Sequence, residues 1–165
     1  MPVKVNIASL TIDQTTNSPI IILKEENGDR TLPIWIGLLE ATAIASELEN
    51  IKFARPMTHD LMVDTIQKLG GIVEMVEVCD LRDNTFFAII HTVKEGKKLT
   101  IDSRPSDAIA LALRSKSPIF VQEQVFEKSS PGEMKGQEMV ETEEAKKWTE
   151  ILENLSPKDF GKYRM

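Results

Sequence analysis

The chain has 165 residues, 41% hydrophobic and 28% charged, which suits one globular domain with a sizeable core. Its single cysteine, Cys79, excludes an intrachain disulfide and a thiolate zinc cluster, so a reducing compartment, the cytoplasm, is the expectation. A formal net charge of −6 argues against a broad basic surface for gripping nucleic acid, so any such binding must be local.

Met1-Pro2-Val3-Lys4-Val5 lacks the basic flank and apolar run of a signal peptide. No stretch approaches the roughly 20 apolar residues that span a bilayer, so no membrane partner is expected. Val3, Val5, Ile7, Leu10 and Ile12 alternate loosely with polar residues, which predicts a first strand with a bulge near Ala8 and Ser9. Ile20 to Lys24 and Arg30 to Ile36 flank Asn27-Gly28, a strong hairpin signal. Leu39, Ala43, Ile44 and Leu48 recur at helical spacing from Leu38 to Leu48. A second helix is predicted from Thr58, as N-cap, to the stop at Gly70-Gly71.

Ile72 to Leu81, Thr85 to Val93 and Lys97 to Asp102, broken at Asp83-Asn84 and Glu95-Gly96, predict a three-stranded meander. A third helix follows from Ala108 to Arg114, then a closing strand at Ile119-Phe120-Val121. Residues 123–141 are polar and aperiodic, which predicts a flexible linker. In residues 142–165, Ala145, Trp148, Ile151, Leu152 and Leu155 form an apolar stripe, predicting an amphipathic C-terminal helix. The expected fold is α+β: a mixed or antiparallel sheet of about six or seven strands and three packed helices in residues 1–122, with a helical extension. Trp35, the run Phe86 to Ile90 and the C-terminal stripe predict a homo-oligomer.

Two corners concentrate the polar chemistry. Arg55-Pro56-Met57-Thr58-His59-Asp60 and Arg104-Pro105-Ser106-Asp107 each set an Arg-Pro pair, then a hydroxyl suited to capping, then an acid in a helix's first turn. An internal echo also lays Glu40-Ala41-Thr42-Ala43-Ile44-Ala45 over Asp107-Ala108-Ile109-Ala110-Leu111-Ala112. Each half thus places a carboxylate at the start of an Ala-rich helix that can lie close to a sheet. The alternative is plain capping, since the macrodipole favours acids at these positions.

Leu32-Pro33-Ile34-Trp35-Ile36-Gly37 with Glu40-Ala41, Arg55 to Leu61, and Asp102 to Ala112 occur in an order that resembles the bifunctional nuclease domain family. The likeness covers roughly Val3 to Val121. It implies activity on RNA and DNA and carries no catalytic residues across. Plant members join the domain to a short helical interaction module, whereas this chain differs after Gln122, so partner functions of that module do not transfer.

Residue chemistry supplies candidates. Phosphodiester hydrolysis needs an activated water or hydroxyl, charge stabilisation and often a carboxylate-held Mg²⁺ or Mn²⁺. His59, Asp60, Asp107 and Glu40 form the candidate catalytic set, Arg55 and Arg104 the phosphate clamps, and Asp102 with Asp107 the metal pair. Structural alternatives stand beside each: Asp60 and Asp107 as cap partners, a buried Arg–Asp network, and His59 as a loop tether. Thr58, Ser103 and Ser106 suit capping better than nucleophilic attack, since no glycine elbow surrounds them. His91 is expected to face solvent or a subunit contact. The function is therefore either a metal-assisted nuclease acting on RNA or DNA, or a non-enzymatic module that binds a small anion or a protein.

Overall fold

In a computed structural model, which describes residues 1–129, the elements follow as β1 (Pro2–Ile12), β2 (Pro19–Glu25), β3 (Thr31–Trp35), α1 (Leu38–Leu48) and α2 (Thr58–Lys68). Then come β4 (Gly71–Arg82), β5 (Thr85–Lys94), β6 (Lys97–Ser103), α3 (Pro105–Ser115), β7 (Ile119–Gln122) and α4 (Glu123–Lys128). The seven strands form one sheet in the order β3-β2-β1-β7-β4-β5-β6. All described pairs are antiparallel except β4 with β7, so the sheet is mixed and the fold is α+β. Among the described residues no helix is long and apolar enough to cross a membrane.

Local turn chemistry explains most boundaries. Asp83 and Asn84, and then Glu95 and Gly96, adopt positive φ at the two meander turns, the two-residue geometry that matches strand twist. The Asn27-Gly28 hairpin forms differently: neither residue has positive φ, and the strands close through the Glu25 N–H donating to the Arg30 carbonyl over a longer loop. The β1 bulge falls between Ile7 and Ser9, where the register with β2 shifts.

Three local expectations are corrected. The N-cap of α2 is Met57, and Thr58 is already helical, because the Asp60 carboxylate accepts the Met57 N–H at 2.8 Å. In α3 the N-cap is Arg104, with Pro105 in the first helical position and Ser106 buried beyond it. The linker predicted from residue 123 begins as helix α4, because Val125 and Phe126 bury against the domain and Arg30 stacks on the Phe126 ring. The remainder of that linker, and the C-terminal helix predicted in residues 142–165, lie outside the described residues.

Helix α3 lies between α1 and α2 and packs on β4 and β5. Its Ala108, Ala110 and Ala112 let it approach closely, while Ile109 and Leu111 are fully buried, each stabilising by about 1.5–3 kcal/mol. The strand registers send Val5, Ile21, Val76, Ile90 and Val121 to the helix side. Ile22, Ile89, His91 and Phe120 alternate to the other face, half-buried. There His91 is bonded rather than free: its Nε2 lies 2.9 Å from Oε2 of the buried Glu77, whose other oxygen accepts from the Gln122 amide. Trp35 is partly exposed, and its Nε1–H donates to Asp13 at 3.0 Å. Of the apolar run at Phe86, Ala88 and Ile90 are wholly internal.

Candidate functional site

The first turns of α1, α2 and α3 meet at one point. Glu40 sits in the first turn of α1, His59 in that of α2 and Asp107 in that of α3. Arg104, the residue before Pro105, joins them: its Nε donates to Asp107 Oδ2 at 2.7 Å and its Nη1 donates to Glu40 Oε1 at 2.8 Å. Asp107 Oδ1 lies 2.9 Å from His59 Nε2. One carboxylate therefore holds an imidazole and a guanidinium together, and the two acids matched by the internal echo grip the same arginine.

Glu40 is shaped for this by Gly37, the N-cap of α1. A Cβ on Gly37 would stand 2.2 Å from Glu40 Oε2, so the missing side chain makes room for the carboxylate to fold back. Arg104 keeps 64% of its side-chain surface exposed despite two ion pairs, whereas His59 keeps only 12%. Three helix N-termini add partial positive charge, which offsets part of the negative charge of Glu40 and Asp107 around the guanidinium. A cleft of about 430 Å³ opens beside it, lined among others by Met62, Phe86, Ile101, Ser103, Arg104 and Asp107.

Asp60 is next to His59 and serves another network. Arg114 Nε donates to Asp60 Oδ1 at 2.7 Å, its Nη1 to the Ala110 carbonyl and its Nη2 to the Ala43 carbonyl, each at 2.9 Å. With its side chain only 6% exposed, Arg114 ties α1, α2 and α3 together beneath the surface. Both Asp60 oxygens are occupied, one by Arg114 and the other by the Met57 N–H, which is a structural duty. Composition gave little sign of Arg114, although its seven-residue spacing from Asp107 puts both on one face of α3, roughly 10 Å apart.

Arg55 is exposed in the loop before α2 and makes no hydrogen bond or ion pair with another described residue. Asp102 is exposed at the end of β6, and strand alternation sends its side chain to the face opposite Ile101 and Ser103. The Arg104 partner is thus Asp107 with Glu40, and Asp102 stays outside the network. This donor set does not fit a resident divalent cation. Asp107 spends both oxygens on His59 and Arg104, Asp102 points to the other sheet face, and no group of three His, Cys, Asp or Glu converges for a metal among the described residues.

Burial works to raise the Asp107 pKa, but hydrogen bonds from Arg104 and His59 outweigh it and hold the carboxyl below its usual 3.8. Burial likewise opposes, and the Met57 N–H and Arg114 overcome, in lowering Asp60. Asp107 foremost, then Glu40, strengthens the proton affinity of Arg104. A carboxyl lowered on folding contributes stability that is complete above its unfolded pKa, about 3.9, and is lost as pH falls through the folded value. The thermal midpoint is thus expected to hold from pH 7 to about 5 and to fall steeply below about 4. A midpoint already declining steeply between pH 7 and 5 would assign the acid sensitivity to other groups.

Comparison with known proteins places this geometry in a family. The bifunctional nuclease domain matches residues 21–132, a span that contains all three helix corners. An uncharacterized protein of Mycobacterium tuberculosis is 38% identical over 162 residues, 95% of this chain and 97% of that one. Bifunctional nuclease 2 of Oryza sativa subsp. japonica is 31% identical over 120 residues, 70% of this chain and 37% of its own length. Bifunctional nuclease 2 of Arabidopsis thaliana is 32% identical over 108 residues, 64% of this chain and 33% of its own length. The matched region thus spans about a third of the plant proteins and nearly all of the mycobacterial one. The chain belongs to the bifunctional nuclease domain family.

Proposed function

We propose that this chain cleaves phosphodiester bonds of RNA or DNA where the first turns of its three large helices meet. The observation that carries the reading is Asp107, bonded at once to His59 and to an exposed arginine. A scissile phosphate docks on the outward edge of the Arg104 guanidinium, with Arg55 as a second cationic contact, and Glu40 keeps the guanidinium oriented. Asp107 accepts a proton-bearing His59 Nε2, which leaves Nδ1 as the basic nitrogen. That nitrogen removes the proton from the attacking water, or from a neighbouring ribose hydroxyl in RNA. The new P–O bond forms as the P–O bond to the leaving oxygen breaks, and that oxygen takes up a proton from solvent.

The plant relatives' names support nucleic acid as the substrate. A Mg²⁺ or Mn²⁺ ion would enter with the substrate phosphates rather than wait in the protein, since the site's carboxylates are already engaged. A second reading is an anion-binding module without turnover, favoured by one observation: the same ion pairs would be needed merely to join three helices. Self-association through the sheet face that carries Trp35 and Phe120 belongs to the proposal, and light scattering at the mass of one chain would remove it.

The test is cleavage of end-labelled single-stranded RNA and DNA by highly purified protein, with Mg²⁺, with Mn²⁺ and with EDTA. His59→Ala is expected to lose about 10²–10⁴ in rate while remaining folded. Arg104→Lys keeps the charge and loses the planar fork, so it is expected to raise KM or lower kcat by tenfold or more. Cleavage equal in wild type and folded variants would reject the nuclease reading in favour of the binding module.

A further inference from the structure

The cleft beside Arg104 is lined by both polar and apolar residues, and the cleavage chemistry uses only the polar ones. Met62 of α2, Phe86 of β5 and Ile101 of β6 belong to its apolar lining, and Asp102, Arg104 and Asp107 to its polar lining. Its volume, about 430 Å³, falls within the range of small-molecule sites.

The fold leaves this apolar side open for a definite reason. Among the described residues β6 is the sheet's edge, and α3 makes its main packing on β4 and β5. Pairing puts Ile101 beside Ile90 on the helix side, yet Ile101 remains 42% exposed while Ile90 is wholly covered. An exposed branched aliphatic therefore faces a half-buried Phe86 and Met62 across a gap next to a guanidinium.

We propose that this cleft is a nucleobase subsite, so that the protein acts on unpaired nucleotides with one base seated on Phe86, Met62 and Ile101 while the attached phosphate meets Arg104. The inference rests on the nuclease reading for the phosphate's fate, and on the cleft itself for the base. A nucleobase has two apolar faces and a polar rim, which matches a slot with apolar walls and a charged lip. A base inside a duplex is stacked and paired, and extruding it costs several-fold to many-fold in binding, so single strands are favoured.

Charge points the same way. With a net charge of −6 the chain lacks the broad positive potential needed to hold a long backbone, so a large share of affinity has to come from a base. Among the described residues Arg104 is the one cation in the cleft's lining, and with Arg55, the second clamp proposed above, it makes about two phosphate contacts, which for a single strand implies a shallow salt slope of roughly −1.4.

The experiment uses the full chain and two probes that differ only in the base: adenosine 5′-monophosphate and ribose 5-phosphate. Calorimetry is expected to show the nucleotide binding at least about fivefold more tightly, the low end of what one stacked base contributes. Ile101→Asp puts a charge in the slot and is expected to erase that difference. Ile101→Ala is the milder variant on the same exposed edge position and is expected to reduce it should Ile101→Asp misfold. In parallel, cleavage of a labelled strand is compared alone and locked in a blunt duplex.

Equal affinity for the two probes, or no binding of either, would overturn the base subsite while leaving cleavage to stand or fall on its own assay. Nucleotide preference erased at Ile101, with no cleavage of any strand, would support the subsite and reject the nuclease reading instead. Faster cleavage of the duplex than of the single strand would overturn the preference for unpaired nucleotides.

Discussion

Asp107→Asn is expected to lower cleavage by about 10³–10⁴-fold while the protein stays folded. The side chain keeps its shape but can no longer accept on both sides. If its oxygen stays on Arg104 Nε, its amide faces His59 Nε2 and donates to it, where the carboxylate now lies at 2.9 Å. The imidazole is then forced to carry its proton on Nδ1, the nitrogen assigned to the substrate, and the base becomes a donor. The stability cost is modest, because Arg104 is mostly exposed and a pair of that kind contributes about 0.2–1 kcal/mol, with a similar term for the lost charge at the helix start. Nitrogen NMR of His59 reports the tautomer directly. Cleavage within about threefold of wild type, or loss of activity with no change of tautomer, would remove Asp107 from the positioning role.

Arg114→Met is expected to destabilise the fold by about 1–3 kcal/mol, a sizeable part of the 5–15 kcal/mol typical of a domain. The methionine fills similar volume but abandons Asp60 and the Ala43 and Ala110 carbonyls together. The Ala43 and Ala110 carbonyls keep their helix partners and Asp60 keeps 37% of its side-chain surface exposed, so the cost falls mainly on the lost tie between the three helices and on the space that the guanidinium filled. Adding Asp60→Asn is expected to recover part of the loss, since the amide oxygen still accepts the Met57 N–H and no lone charge remains. Urea titration of the two single variants and the double variant gives the coupling. A single-variant cost below about 1 kcal/mol would show that helix packing, not this arginine, holds α1, α2 and α3 together.

The contrast between these two arginines shows where sequence reasoning stopped. Arg104 stood out because it precedes a proline and a helix-opening acid, and local chemistry alone marks such a corner. Arg114 sat among scattered cations with no local signal, because its partners come from Asp60, 54 residues away, and Ala43, 71 residues away. His59 and Asp60 looked alike as first-turn polar residues, yet adjacent positions on a helix project in different directions. One reaches the exposed Arg104 cluster and the other the internal Arg114, a separation of duty that only the placement of α3 between its neighbours creates.

The strands, the three large helices, the meander turns and the corners at Glu40, His59 and Asp107 are legible in the sequence, because alternation, helical spacing and helix-end chemistry act over a few residues. It also carried the family, through three motifs in order. The start of α4 escaped it, since Glu123 to Lys128 has too few apolar positions to show a period and is held by the pockets that receive Val125 and Phe126. Tertiary structure alone decided which acids share an arginine, that Asp102 faces away from Asp107, and that Ile101 stands open beside the cluster. These are contacts between residues distant in the chain, fixed by sheet order and by helix packing, which no local pattern encodes.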